Sequence, residues 1–172
     1  MEDKTRKRES SSIAAFSCDI TTSETAGNVD FHMHNHHEIY LLIHGEIQYF
    51  VENNCYPMTS GNLILFSDKE IHKATNTSNS PFTRLVIHIN PSFISQHCTP
   101  RTNLLSCFHR TPGTGNMVSR TKDELGTLLT MAATLRQTTD AEEEYGNDLT
   151  ALTILIQILL VINKAWKRMS PD

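Results

Sequence analysis

Five consecutive apolar residues, Ile39, Tyr40, Leu41, Leu42 and Ile43, stand between a histidine cluster and Gly45. Successive side chains on a strand point to opposite faces, so a strand built from this run is apolar on both. Such a strand needs cover on two sides, which excludes an open sheet with one wet face. The chain must therefore fold in layers around this segment.

Its neighbours in sequence supply short strands. Residues 13–21, 28–34, 38–44, 47–52, 63–66, 71–75 and 82–89 are rich in β-branched and aromatic side chains. They are separated by turn residues at Gly45, Asn53-Asn54, Ser60-Gly61 and Asn79-Ser80-Pro81. Ile47, Tyr49 and Val51 alternate with Gln48, Phe50 and Glu52, and Asn53-Asn54 can supply the positive φ of a hairpin over 47–58. Many short strands with regular turns imply a sandwich or a small barrel. Residues 1–12 are polar and charged with nothing to bury, and are expected to form a disordered tail.

The pattern changes after Pro91. A short helical turn is expected at 91–96, and Pro112, Gly113 and Gly115 mark 101–119 as a linker. Thr121-x-x-Glu124 is a capping box opening a helix with Leu125, Leu128, Leu129, Ala132 and Leu135 on one stripe. A second helix, over 149–167, is apolar almost all round. It needs two partners: the first helix, and either the outer face of the β-domain or the same helix in a second chain, with the second chain preferred. On that reading, charged residues at Leu155 and Leu159 would separate a dimer.

Net charge limits the partners. Nineteen acidic residues against fifteen basic leave −4, and basic residues concentrate only at the two ends, so these residues offer no nucleic-acid surface. Four separated cysteines, Cys18, Cys55, Cys98 and Cys107, read as reduced thiols. The N-terminal residues lack the apolar core of an export signal, and the apolar run 151–162 falls short of the ~20 residues that cross a bilayer. A soluble cytoplasmic protein without membrane contact is expected.

Chemistry concentrates in two segments. His32-x-His34 precedes Glu38, and a second segment from Gly61 reaches His72 and Asn76. If 28–34 and 38–44 are strands, His32, His34 and Glu38 share parity, with His72 arriving from another strand. Three imidazoles and a carboxylate suit zinc, nickel, iron or manganese, with coordination positions left open. Nine histidines occur in the chain and four crowd into 32–37, so a solvated loop cluster is the competing reading. His36 and His37 read as exposed or as supports for the others.

The segments FHMHNHHEIYLLIHG and GNLILFSDKEIHKATN resemble the two motifs of the cupin superfamily, small barrels of the double-stranded β-helix or jelly-roll type. The resemblance places His32, His34, Glu38 and His72 at the metal positions, and Gly45, Gly61 and Asn76 at turn and strand positions. Ser67 stands for the usual proline and Lys69 for the usual glycine, which implies a looser turn before His72.

More broadly, 13–169 resembles the N-terminal sensor and dimerisation region of AraC-type transcriptional regulators. The matching features are Glu38-Ile39-Tyr40, residues 56–66, Glu70-Ile71-His72, the strand 82–88 with Asn90-Pro91, and the helical tail. This resemblance implies a mainly β cupin barrel over 13–100 that binds a small effector, often a sugar or related metabolite. It also implies a C-terminal helical hairpin over 120–169 that pairs two subunits. DNA would be contacted only by a domain of two helix-turn-helix units, absent from these residues.

Alternation offers Tyr40, Arg84 and His88 as inward effector contacts. A buried guanidinium at Arg84 needs a carboxylate, from Glu38, from the effector, or from a plain structural pair. The histidines would hold a metal, touch the effector, or fill the barrel as satisfied polar groups. An enzyme is not expected; the alternative is a metal-dependent cupin of dioxygenase or isomerase type.

Overall fold

The computed structural model describes residues 15–24, 30–76, 78, 80–141 and 144–169; the expected tail over 1–12 lies outside them. Among the described residues eight strands form two antiparallel sheets. The larger has the order β1-β7-β2-β5-β8, from β1 (Phe16–Ser23), β7 (Phe82–Ile89), β2 (His37–His44), β5 (Leu63–Phe66) and β8 (Met117–Val118). The smaller has the order β4-β3-β6, from β4 (Asn54–Thr59), β3 (Glu46–Val51) and β6 (His72–Thr75). Three helices follow: α1 (Pro91–Ser95), α2 (Lys122–Asp140) and α3 (Asn147–Met169).

The apolar run on β2 shows why the layers stack as they do. Opposite residues of an antiparallel pair share a face, so Tyr40 faces inward with Val86 and Ile64, while Ile39 faces outward with Ile87 and Leu65. The inward set joins Tyr49, Val51, Met58 and Phe66 in a core between the sheets. The outward set joins Leu128, Ala132 and Leu135 of α2 and Leu155, Ile158, Leu159 and Ile162 of α3 in a second core. Both faces of β2 are dry, as its sequence requires. Each fully buried Leu or Ile contributes about 1.5–3 kcal/mol. The mainly β barrel followed by a helical hairpin is as expected.

The chain passes from the larger sheet to the smaller through one residue. Gly45 has φ +102°, and a Cβ there would lie 2.6 Å from Phe82 Cβ. At the other hairpin the positive φ falls on Glu52 (51°), one residue before the expected Asn53-Asn54. Glu52 is held there from outside. Its N–H donates to the Ile71 carbonyl (2.9 Å) and its carboxylate accepts the Ile71 N–H (2.9 Å).

Three further differences from the sequence reading have physical causes. Residues 30–36 form no strand; only a bridge between His32 and His72 ties them to the smaller sheet. Residues 101–119 are packed structure rather than a free linker, since Cys107 and Phe108 are buried and β8 extends the larger sheet. The turn before His72 is tied rather than loose. Glu70 is fully buried and its carboxylate accepts from the N–H groups of Ser67 (2.6 Å) and Gly113 (2.8 Å), Asn116 Nδ2 (3.0 Å) and Arg110 Nη1 (2.5 Å).

The capping box forms as expected, with Thr121 and Glu124 bonding each other's backbone. α3 runs for 23 residues, longer than the apolar run alone suggests, and by length and composition it could cross a membrane. Its Leu155 and Leu159 are nevertheless fully buried against α2 and the larger sheet, as in a core helix.

Candidate functional site

Five histidines and one carboxylate gather at one end of the barrel. His32 and His72 sit directly opposite each other, exchanging two backbone hydrogen bonds of 3.0 Å, with ring centroids 4.4 Å apart. His34 follows two residues later, 5.0 Å from the His72 ring. Glu38 on β2 and His88 on β7 are paired across the strands, so both point inward. His36 stacks on His34 at 3.8 Å and 4°.

The backbone fixes the tautomers. A carbonyl oxygen only accepts, so the Nδ1–H of His32 donates to Asp30 O (3.0 Å), that of His34 to His36 O (2.8 Å) and that of His72 to Glu70 O (3.0 Å). Each ring is left with an Nε2 lone pair. Metal-bound imidazoles are held in this way by an outer partner on the second nitrogen.

The donor set fits a divalent cation on two further observations. His32, His34 and His72 each offer one ligand nitrogen, and the three lie within 4.8 Å of one another. His72 is 1% exposed, and its Nε2 has no hydrogen-bond partner among the described residues. An orphaned buried lone pair is costly unless something electrophilic meets it. Glu38 Oε2 lies 3.0 Å from His34 Nε2, 3.4 Å from His88 Nε2 and 3.8 Å from His72 Nε2. A carboxylate facing a lone pair repels it, and a proton or a metal ion between them reverses the sign.

Electrostatics follow from this crowding. Burial alone would raise the Glu38 carboxyl, but hydrogen bonds donated by the His34 and His88 rings when they carry the extra proton outweigh it and hold the group well below the usual carboxylate range. Burial lowers His72, against the pull of Glu38, so its ring is kept neutral and able to ligate. Burial, with His34 and His88 alongside, lowers His36 to about 4.

Beyond the histidines the barrel wall carries Tyr40 and Arg84. The Tyr40 ring is 1% exposed and meets Tyr49 edge-on at 4.8 Å, and its hydroxyl has no partner among the described residues. Burial raises this phenol, with Arg84 pulling partly against it. Arg84 Nη1 donates to Ser23 Oγ (3.1 Å), and its guanidinium lies 5.4 Å from the Phe82 ring centroid. Tyr40, Arg84 and His88 thus all lie on inward positions.

His36 takes the supporting place expected of it, whereas His37 departs from its sequence reading. His36 is half-buried within the cluster, a placement that spacing could not give because 30–36 is irregular. His37 is 3% exposed on the opposite face of β2, stacked on Phe108 at 4.3 Å. Its parity with Ile39 and Leu41 was the available signal. The Glu70–Arg110 pair also escaped, since the two are 40 residues apart in sequence.

Among solved structures the chain is similar to a Cupin 2 conserved barrel domain protein from Salinispora arenicola. The two share 14% identity at TM-score 0.43 over 48% of this chain and 70% of that one. It is also similar to a predicted oxalate decarboxylase from Thermotoga maritima (23%, TM-score 0.40, 42% and 64%). A cupin protein from Bacteroides fragilis gives 18%, TM-score 0.41, 45% and 68%. No curated protein matches. The family model of the AraC-like ligand binding domain matches residues 20–159, through both sheets and into α3. With most of its length inside that match, the chain belongs to the AraC-like ligand binding domain family.

Proposed function

We propose that this domain senses a small effector of the sugar or related metabolite class in the barrel, beside a divalent metal held by His32, His34, His72 and Glu38. The carrying observation is the set of three Nδ1–H groups committed to carbonyls, which leaves the Nε2 of each neutral ring to ligate, together with three ligand nitrogens within 4.8 Å of one another beside a buried carboxylate. A bound zinc, nickel, iron or manganese ion would supply a positive charge and open coordination positions for an oxygen-bearing effector. Tyr40 contributes an unpartnered hydroxyl, Arg84 a positive charge and His88 a ring nitrogen toward the same space.

Occupancy can alter the output only through differential affinity for two arrangements of the protein. α3 is the element we assign to that output, through pairing of two copies in the cytoplasm and presentation of a DNA-reading domain. Its stripe of Leu149, Ile156 and Leu160 is not fully covered by the rest of the described chain. The same four donors would serve a metal-dependent dioxygenase or isomerase, so turnover by the metal-loaded domain decides against the sensor.

The test is elemental analysis of protein purified without chelators, followed by calorimetric titration with sugars and sugar acids. A stoichiometric divalent ion, lost in His34→Ala and His72→Ala, supports the reading. Metal-free protein would move the histidines to effector contact or core packing.

A further inference from the structure

A second cavity lies on the side of β2 opposite the histidine cluster. It is a hollow open to solvent, of about 730 Å3, and its walls include His37, Asp68, Lys69, Pro91, Phe108 and Pro112. That volume falls within the range of small-molecule sites.

His37 gives the cavity its chemistry. Its Nδ1 accepts the Asp68 N–H (3.1 Å), so the ring proton sits on Nε2. The ring is 3% exposed and lies flat against Phe108, 4.3 Å away and 7° from parallel. No acceptor for that Nε2–H exists among the described residues. Lys69, on the adjoining turn, is exposed and adds a positive charge. The Asp68 carboxylate lies 3.7 Å from Nδ1, on the other side of the ring, and offsets part of that charge. Arg110 also lines the space but is committed to Glu70 and the Leu65 carbonyl. One neutral donor and one ammonium, with the Asp68 carboxylate nearby and with Arg110 and His109 also on the wall, suit a small anion. Pro91 and Pro112 offer apolar surface for the remainder of a ligand, above the buried Phe108 ring.

We propose that this cavity binds a small monocarboxylate with a compact apolar body, its carboxylate taken by His37 Nε2–H and the Lys69 ammonium. The site is separate from the barrel interior, because His37 and Glu38 point to opposite faces of β2.

The test is an NMR titration of the protein with benzoate, using benzamide as the uncharged match. Benzoate is expected to give saturable shifts at the His37 and Phe108 rings and none at Tyr40 or Arg84. Benzamide is expected to bind roughly fivefold more weakly, the scale of one exposed charge pair. Lys69→Ala, a surface change, should weaken benzoate by a similar factor and leave benzamide unaffected. His37→Phe, which keeps the stack on Phe108, should remove benzoate binding. Absence of saturable shifts at His37 overturns the proposal, as does equal affinity for benzamide. Shifts confined to Tyr40 and Arg84 would also overturn it, while leaving the barrel reading intact.

Discussion

Glu38 and Glu70 are both buried carboxylates held in the charged form, yet their surroundings differ in kind. Glu70 is bonded by a guanidinium, an amide side chain and two backbone N–H groups, all permanent donors. Glu38 is surrounded by imidazoles, whose donor capacity comes and goes with a proton or a metal ion. A carboxylate with permanent donors locks two segments together; one with conditional donors can respond to its environment. Burial alone does not separate structural from functional acids.

Substitution of each glutamate gives the largest expected contrast. Glu70→Ala leaves the Arg110 guanidinium buried without its partner and should cost about 3–5 kcal/mol in denaturant unfolding. Glu38→Gln at pH 8 should stay within about 1 kcal/mol, because an amide can donate to an imidazole lone pair. Equal losses at the two sites would break the distinction.

Metal addition sharpens it. Zinc at a hundredfold excess over its dissociation constant should stabilise the wild type by about 2.7 kcal/mol. The increment should vanish in His34→Ala and His72→Ala, read as a loss of the metal-dependent rise in Tm. A rise that survives both substitutions would place the ion elsewhere.

Much of this contrast could be read before the fold was known, and the remainder could not, for physical reasons. Parity within strands puts Glu38, Tyr40, Arg84 and His88 on inward positions, and the double-sided apolar run on β2 foretells cover on both faces. His32 and His34 converge for a different reason from the one spacing suggests. Their segment is not a strand, and side chain to carbonyl bonds aim the rings. Glu70 was invisible as an anchor because its donors come from residues 67, 110, 113 and 116, brought together only by tertiary packing. A glycine- and proline-containing stretch reads as a linker when its buried partners lie 40 or more positions away.

The pH response separates buried histidine from buried carboxylate. Burial lowers His37 from 6.5 to about 4, against Asp68. Its stabilisation is therefore full above pH 6.5 and is lost as pH falls toward 4, on the order of 3 kcal/mol in all. The Glu70 carboxyl is lowered despite its burial, chiefly by Arg110, so its contribution is full above about 4.5 and is lost only at more acid pH. His37→Phe should make the stability curve less steep between pH 6.5 and 4, the remaining slope belonging to His36 and His72, and leave the more acid limb unchanged. An unchanged curve in that variant would transfer the effect to other histidines.

The smallest effect on stability concerns α3, where buried and exposed faces again divide structure from function. Leu155 and Leu159, expected to face a second chain, are 0% exposed in the core beneath the sheet, so charges there would unfold the domain and say nothing about assembly. The informative positions are those that the core covers only in part or not at all. Leu149 is 64% exposed, and Ile156 and Leu160 are half-buried on the same stripe, seven and eleven residues along. Leu149→Glu should change stability by about 0.5 kcal/mol or less, since it touches no core contact. Combined with Leu160→Glu, it should halve the mass measured by light scattering if the stripe pairs two copies. A mass that does not change, in a domain that unfolds at nearly the wild-type denaturant concentration, would remove α3 as the output element while leaving the barrel chemistry untouched.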